Sequence, residues 1–254
     1  MDDKALLDML FGLAAQAGDA ILRVRAEGFT TQSKDDDSPV TAADHAAEAV
    51  IVTALRAAMP QVPVVAEEEM AGGHIPERAS TYWLVDPLDG TKEFSRGRDD
   101  FCVCIGLIRA GRPALGVIHG PVLARAWGGI VGSGAWMRDA AGARAITART
   151  APAVGLSVLA SRSHGSDPRL GPFLAGRQVA DVRNMGSALK FGLVADGSAD
   201  LYPRFGPTME WDTAAGQAIV EAAGGTVIDV ATGLPLAYGK PGWRNADFYV
   251  TGRV

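Results

Sequence analysis

The most informative segment of the sequence is Trp83-Leu-Val-Asp86-Pro-Leu-Asp89-Gly-Thr91-Lys-Glu-Phe94. An apolar strand runs into Asp86 and a proline, and one residue later an Asp-Gly-Thr turn begins at Asp89. Proline fixes its own φ and glycine permits tight approach of the backbone, so the two carboxylates can converge on one point. Converging carboxylates repel each other unless a cation lies between them. Taken alone, the pattern fits a cation site or an ordinary Asp-rich turn, and the turn is the commoner structure.

Three further acidic segments are candidates for the same site, and each has a plainer interpretation. Glu67-Glu68-Glu69 follows a predicted strand and could be a solvated acidic patch. Asp212 precedes a run of Ala, Ile and Val and could be the N-cap of a helix. Asp44 follows Thr41 at the spacing of a capping box. Each segment is weak evidence by itself.

Taken together and in this order, the segments resemble the inositol monophosphatase superfamily. The matching segments are Asp37-Ser-Pro-Val-Thr-Ala-Ala-Asp44, Ala66-Glu67-Glu68, the whole of 83–94 and Trp211-Asp-Thr-Ala-Ala-Gly216. Within the superfamily, the chain is most similar to the CysQ-type 3'(2'),5'-bisphosphate nucleotidases. The segments that carry this closer resemblance are Asp86 to Phe94, Ser161-Arg-Ser-His164, Gly186-Ser-Ala-Leu-Lys-Phe191 and Leu201-Tyr-Pro-Arg-Phe-Gly-Pro207. Inositol monophosphatases more often have Asn where this chain has Glu93.

The resemblance implies a site for two or three Mg²⁺ ions. Glu67, Asp86 and the carbonyl of Leu88 would bind one ion. Asp86, Asp89 and Asp212 would bind a second, and a third, looser ion would lie near Glu67. Inhibition by lithium at the looser position is implied in the same way.

The resemblance also implies catalytic and substrate-binding residues. Thr91 and Glu67 would hold and deprotonate the attacking water, and Asp44 would support Thr91. Backbone N–H groups of Gly90 and Thr91 would face the phosphate at a helix start. The remaining candidates for substrate contact are His164, Ser187, Lys190 and Arg204, for which a surface charge or a helix cap is an equally good interpretation.

The residue chemistry agrees with phosphate ester hydrolysis. A phosphate monoester dianion repels nucleophiles, and two metal ions roughly 3.5–4 Å apart can clamp the attacking and leaving oxygens. The four histidines lack zinc-site spacing, and no Cys, His or Ser motif offers a covalent nucleophile. Cys102 and Cys104 are expected to be small buried residues of a reduced compartment. The metal ligands are therefore expected to be oxygens, which favours Mg²⁺ or Mn²⁺.

Composition excludes several classes of protein. The 254 residues are 48% hydrophobic, with a net charge of −5 and an isoelectric point of about 5.4. No basic patch predicts a nucleic-acid polymer as partner. No apolar run approaches the roughly 20 residues that span a bilayer, and the N-terminus does not read as a signal peptide. We expect a cytoplasmic monomer or homodimer, with peripheral membrane association left open.

The sequence pattern predicts an α/β protein. Apolar residues recur at helical spacing over residues 4–26, and a second helix is predicted to run from Thr41 to before Pro60. Short β-rich runs follow up to about residue 131, and strands then alternate with helices after residue 150. The expected halves are 1–145, with most metal ligands, and 146–254, with Asp212 and the substrate pocket. The resemblance implies a layered αβαβα sandwich.

The expected activity is conversion of adenosine 3',5'-bisphosphate to AMP and phosphate. The alternatives on the same fold are an inositol-1-monophosphatase and a fructose-1,6-bisphosphatase. An alternative of another class is a non-catalytic metal- or nucleotide-binding protein. All of the matched ligands and Thr91 are present, which argues against the last of these.

Overall fold

The protein is described by a computed structural model that defines residues 1–33, 39–77, 79–162 and 167–253. Its helices are α1 (Asp3–Glu27), α2 (Ala42–Ala58), α3 (Glu67–Ala71), α4 (Thr91–Ser95), α5 (Leu170–Leu174), α6 (Leu189–Ala195) and α7 (Ala214–Ala222). Its strands are β1 (Thr31–Ser33), β2 (Pro39–Thr41), β3 (Val64–Ala66), β4 (Thr81–Asp89), β5 (Cys102–Arg109), β6 (Arg112–Gly120), β7 (Arg125–Ile130), β8 (Gly134–Asp139), β9 (Gly142–Ile146), β10 (Leu156–Ser161), β11 (Val179–Met185), β12 (Leu201–Arg204), β13 (Thr226–Asp229) and β14 (Phe248–Thr251).

Two large sheets organise these elements. Strands β3 to β9 form a seven-stranded sheet in sequence order, in which β3 and β4 are parallel and the rest is an antiparallel meander. The second sheet has five strands in the order β11-β10-β12-β14-β13. Its first three strands are parallel, and β14 pairs antiparallel with both β12 and β13. The short strands β1 and β2 form a separate two-stranded antiparallel sheet.

The layers stack as α, β, α, β and α, as expected. Helices α1 and α2 cover one face of the seven-stranded sheet, and α6 and α7 lie between its other face and the five-stranded sheet. The close approach of α7 depends on glycines in the sheet, because a Cβ at Gly106 or Gly116 would lie 2.7 or 2.6 Å from backbone atoms of Ala215. The outermost layer is the short helix α5, where Phe173 packs on Tyr249 of β14.

Helix α1 is the one helix in the described ranges that is long and apolar enough to cross a membrane by length and composition. Of its most apolar 18-residue window, 56% is buried inside the protein. Its buried side chains include Leu6, Leu10, Leu13 and Ile21, which belong to the core between α1, α2 and the seven-stranded sheet. The apolar face of α1 is therefore used in packing.

Most of the predicted elements are confirmed. The elements that the sequence does not predict are β1, β2, α3, β8, β9, α5 and β11, and two of these strands share a physical cause. The helix predicted over 4–26 and the helix predicted to end before Pro60 are α1 and α2. Strands β9 and β11 were not expected, because they form sheet edges and their residues are mostly exposed. An exposed edge strand carries little of the apolar alternation that identifies a half-buried strand.

Candidate active site

A cavity of about 390 Å³ opens where the carboxyl end of β4 meets β12 and β14 of the second sheet. Its volume lies in the range of small-molecule sites. Acidic side chains from three separate segments line it: Glu67, Asp86, Asp89 and Asp212. The other predicted site residues that line it are Leu88, Gly90, Thr91, Ser187, Lys190 and Arg204. His164 lies outside the described residues.

The strand-to-helix turn at the end of β4 positions the central acids. Asp86 is 2% exposed, and its Oδ1 accepts a hydrogen bond from the backbone N–H of Leu88 at 3.0 Å. Gly90 precedes α4 and has a φ of +98°, a left-handed backbone conformation that glycine adopts readily. This conformation lets the chain turn from the strand into the helix. A Cβ at Gly90 would also lie 3.1 Å from the carbonyl oxygen of Asp100. As expected, Gly90 and Thr91 lie at a helix start.

Asp44 has two structural roles, one on each carboxylate oxygen. Its Oδ2 accepts hydrogen bonds from the backbone N–H and the hydroxyl of Thr41, both at 2.8 Å, which completes the predicted capping box of α2. Its Oδ1 accepts a hydrogen bond from the Thr91 hydroxyl at 3.0 Å. Thr91 Oγ1 also lies 3.0 Å from the carbonyl oxygen of Leu88. Capping and contact with Thr91 therefore coexist.

The acidic run after β3 is not a solvated patch. Glu67 lines the cavity and Glu68 is buried. Glu69 forms a bidentate ion pair with Arg56, whose Nη1 and Nη2 donate to the two carboxylate oxygens at 2.9 and 2.8 Å. The carboxylate of Glu48 accepts hydrogen bonds from the backbone N–H groups of Glu68 and Glu69, at 2.8 and 2.9 Å. Burial raises the pKa of Glu48 to about 7. Glu48 therefore holds the first turn of α3, which carries Glu67 at its start.

The segment around Asp212 also differs from the plainer interpretation. Asp212 closes a 3-10 turn, Glu210–Asp212, and its Oδ2 accepts a hydrogen bond from the backbone N–H of Met209 at 2.9 Å. Helix α7 begins after Thr213, so Asp212 is not its N-cap. The neighbouring Glu210 is fully buried and binds the backbone N–H groups of Gly239 and Lys240, both at 2.9 Å. Glu210 is thus structural, whereas Asp212 faces the cavity.

The acids of the cavity raise one another's pKa values. Burial raises the pKa of Asp86, and repulsion from Glu67, Asp89 and Asp212 raises it further. Burial and the same kind of repulsion raise the pKa of Asp212. Burial raises the pKa of Asp89 to about 6, against the opposing effects of Lys190 and a backbone hydrogen bond from Ala188. A cluster of buried carboxyl groups that ionise at a cost in free energy is typical of a cation site, because a bound cation offsets that cost.

The donor set suits a hard divalent cation. Carboxylate and carbonyl oxygens are the ligands that Mg²⁺ prefers, and this part of the cavity supplies both. In the described ranges, the one group of three His, Cys, Asp or Glu side chains whose donor atoms all lie within 4.8 Å of one another is Asp89, Cys102 and Cys104. As expected, both cysteines are buried free thiols.

Two cations line the same cavity. Lys190 is 2% exposed, so it is not a surface charge, and its ammonium donates to the carbonyls of Met185 and Ser187. Burial lowers the pKa of Lys190 to about 8, while the nearby Asp89 raises it. Arg204 is half-buried and donates from Nη1 to the hydroxyl of Ser161 at 2.8 Å. Both cations line the cavity, which agrees with their proposed contact with substrate.

The loop before α6 links the cations to the acids. Ser187 adopts a positive φ of 54°, which is unusual for a residue other than glycine and commonly marks a functional site. The next backbone N–H, that of Ala188, donates to Asp89 Oδ2. The N–H of Gly186 donates to Asp100, which also pairs with Arg162 at 2.8 Å. This loop therefore joins the second half of the chain to the turn after β4.

Sequence reasoning missed several residues around the cavity. Glu48 and Asp100 stand in no motif, because their hydrogen-bonding partners lie far away in sequence. Glu93 and Ser161 line the cavity and stand inside segments that carry the resemblance, so those segments were the available signal.

Comparisons with known proteins agree with the geometry. A family model described as "Inositol monophosphatase family" matches residues 2–249. The chain is 45% identical over 236 residues to the 3'(2'),5'-bisphosphate nucleotidase CysQ of Escherichia coli O157:H7, which covers 92% of this chain and 94% of that protein. It is 39% identical over 253 residues to the protein of the same name from Buchnera aphidicola, with coverages of 98% and 94%.

Solved structures give the same result. The crystal structure of CysQ from Bacteroides thetaiotaomicron superposes with a TM-score of 0.79 at 33% identity and covers 95% of both chains. An inositol monophosphatase from Thermotoga maritima superposes with a TM-score of 0.80 at 25% identity, covering 97% of this chain and 92% of that one. Sequence identity is thus higher to the nucleotidases than to this inositol monophosphatase.

Proposed function

Because the chain belongs to the inositol monophosphatase family, we propose that it is a Mg²⁺-dependent phosphatase that acts as a 3'(2'),5'-bisphosphate nucleotidase. The preferred substrate is adenosine 3',5'-bisphosphate, and the products are AMP and phosphate. The relatives that are 45% identical over nearly their whole length are named for this activity. The enzyme is proposed to be cytoplasmic and to act as a monomer or homodimer.

The observation that carries the proposal is the composition of one cavity. The acidic side chains of Glu67, Asp86, Asp89 and Asp212 line it together with the cations Lys190 and Arg204. A bisphosphorylated substrate needs a site for the ester that is cleaved and a second site for the phosphate that is kept. A pair of cations can hold the second phosphate through charge-assisted hydrogen bonds. An inositol monophosphate would leave these cations without a ligand charge.

The acidic side chains would hold the metal ions. Glu67, Asp86 and the carbonyl of Leu88 would bind one Mg²⁺ ion, Asp86, Asp89 and Asp212 would bind a second, and a third would lie near Glu67. When bound, Mg²⁺ supplies positive charge against the phosphate dianion and lowers the pKa of bound water. The halves 1–145 and 146–254 are proposed as structural units, and the division of strands between the two sheets supports this boundary.

The residues around Thr91 would prepare the nucleophile. The Thr91 hydroxyl can donate its single proton to Asp44, which leaves its lone pairs to accept a hydrogen bond from water. Glu67 would take the proton of that water as the new P–O bond forms and the ester P–O bond breaks. The leaving oxygen would take a proton from solvent. Backbone N–H groups of Gly90 and Thr91 would face the phosphate at the start of α4.

The phosphatase proposal is tested by metal dependence of the purified protein. Chelation with EDTA should abolish phosphate release from adenosine 3',5'-bisphosphate, and added Mg²⁺ should restore it. The control variant is Arg56→Lys, which alters an exposed ion pair on α2 and should respond to EDTA and Mg²⁺ as the wild type does. Full activity in excess chelator would refute the metal-dependent reaction.

A further inference from the structure

The buried thiols of β5 lie directly beside the acidic part of the cavity. Cys102 and Cys104 are two residues apart on one strand, so their side chains point to the same face. On the neighbouring strand β4, Asp89 is the register partner of Cys102, and Asp86 is that of Cys104. Side chains that are directly opposite on adjacent strands are close neighbours on one face. The two sulfur atoms therefore stand next to the proposed Mg²⁺ ligands.

The separation of the two sulfur atoms matches that of two thiolate ligands on a soft metal ion. The sulfur atoms of Cys102 and Cys104 are 3.8 Å apart. A tetrahedral zinc ion with Zn–S bonds of about 2.3 Å places two sulfur ligands about 3.8 Å from each other. A carboxylate oxygen of Asp89 lies within 4.8 Å of both sulfur atoms. A shift of roughly 1 Å would bring that oxygen to the S···O separation of such a site.

We propose that Asp89, Cys102 and Cys104 form a binding site for a soft divalent cation of the Zn²⁺ or Cd²⁺ class. The ion would enter through the cavity, which Asp89 lines, and a water molecule or Asp86 would provide the fourth ligand. Thiolates select soft metals over Mg²⁺. Two thiol protons would leave to the solvent as the ion binds.

Occupancy of this site would inhibit the enzyme. Asp89 is shared between the thiol site and the second Mg²⁺ position, so an ion held by the thiolates withdraws it from the Mg²⁺ cluster. This consequence rests on the proposed function, whereas metal binding by the thiols does not. Zn²⁺ inhibition should therefore weaken when the Mg²⁺ concentration is raised, because the two ions compete for one carboxylate.

Binding is tested by spectroscopy without any substrate. The chain has two cysteines in total, so a thiolate-to-Cd²⁺ charge-transfer band in the ultraviolet can come only from this pair. Titration with Cd²⁺ should give one such site per chain in the wild type. The band should be lost in the Cys102→Ala/Cys104→Ala double variant and reduced in the single variants Cys102→Ser and Cys104→Ser. Absence of the band in the folded wild type would overturn the proposal.

Inhibition is tested at fixed Mg²⁺ with Zn²⁺ as the probe. The double variant should need at least tenfold more Zn²⁺ for half-inhibition than the wild type. The control is His74→Gln, because His74 is exposed and lies 4.0 Å from Glu69, where surface zinc could bind. His74→Gln should behave as the wild type. Equal Zn²⁺ sensitivity of wild type and double variant would overturn the inhibitory role, and a failed phosphatase assay would leave the Cd²⁺ result intact.

Discussion

The substitution Asp44→Asn separates the two hydrogen-bonding roles of this buried side chain. The carboxylate accepts from Thr41 on one oxygen and from Thr91 on the other. An amide has one oxygen and one NH₂ group, so it cannot accept on both sides. If its oxygen keeps the Thr41 cap, its NH₂ donates to Thr91 Oγ1 and turns the Thr91 proton toward the Leu88 carbonyl. A lone pair that would otherwise serve the attacking water is then occupied.

The magnitudes differ for stability and for activity. Burial raises the pKa of Asp44, so the neutral amide also removes a desolvation cost. We therefore expect the free energy of unfolding to fall by less than the usual contribution of a hydrogen bond to a charged group, by about 1 kcal/mol, or about 2–4 °C in Tm. The loss of activity should be larger, roughly 10–100-fold in kcat, as for other residues that orient a metal-site group. Both are measured on one preparation by thermal unfolding and phosphate release.

The matched control is Thr41→Ala. It removes the hydroxyl that accepts from the Ala43 N–H at 3.1 Å and donates to Asp44, but it leaves the contact between Asp44 and Thr91. Loss of such a cap costs about 0.5–2 kcal/mol of stability. Activity of the folded variant should stay within about twofold of wild type. If Asp44→Asn lowers stability with kcat unchanged, or Thr41→Ala lowers kcat equally, then the orienting role of Asp44 is refuted.

Further predictions concern the metal ligands and the turn. Asp212→Asn should reduce kcat by at least about a hundredfold, because it removes an anionic metal ligand. The Tm of the metal-free protein should stay equal or rise, since burial and repulsion raise the pKa of this acid. A lower Tm with full activity would contradict both expectations. The pKa of Asp89 is raised to about 6, so its contribution to metal-free stability is lost as pH rises through that value. Mg²⁺ should therefore raise Tm more at pH 8 than at pH 5, and a shift independent of pH would exclude competition with protons. Gly90→Ala should cost about 1–3 kcal/mol, measured by denaturant unfolding, because its φ of +98° disfavours a side chain; wild-type stability would show that the turn relaxes freely. Lithium chloride should inhibit turnover more than equal sodium or potassium chloride, and equal inhibition by the three salts would refute a specific site.

The parts of the fold that the sequence predicted are those in which burial follows a regular period. Helix α1 places Leu6, Leu10 and Leu13 on one face, and the apolar strand before Asp86 is buried on both faces. Strands β9 and β11 lie at sheet edges and their side chains are mostly exposed, so their sequences lack the apolar alternation that would predict a strand. The pairing of these two edge strands depends on the neighbouring strands, whose positions are known only from the structure.

The candidate site could be predicted to the extent that its residues are held by local turns. Asp86, Asp89 and Thr91 lie on one strand-to-helix turn, and their order in sequence fixes their proximity. Glu48 orients α3 through backbone groups that lie 20 and 21 residues away, so no local sequence pattern predicts this role. The same limit applies to the cysteines. Their burial was expected, but their proximity to Asp89 arises from the register of β4 and β5.

Phosphate release from three substrates at one Mg²⁺ concentration tests the nucleotidase assignment. We expect a higher kcat/KM for adenosine 3',5'-bisphosphate than for inositol 1-phosphate or fructose 1,6-bisphosphate. Arg204→Ala and Lys190→Ala should erode this preference and should affect the monophosphate substrate less, because both cations are assigned to the second phosphate. A higher kcat/KM for inositol 1-phosphate, with a ranking that Arg204→Ala leaves unchanged, would contradict the nucleotidase assignment.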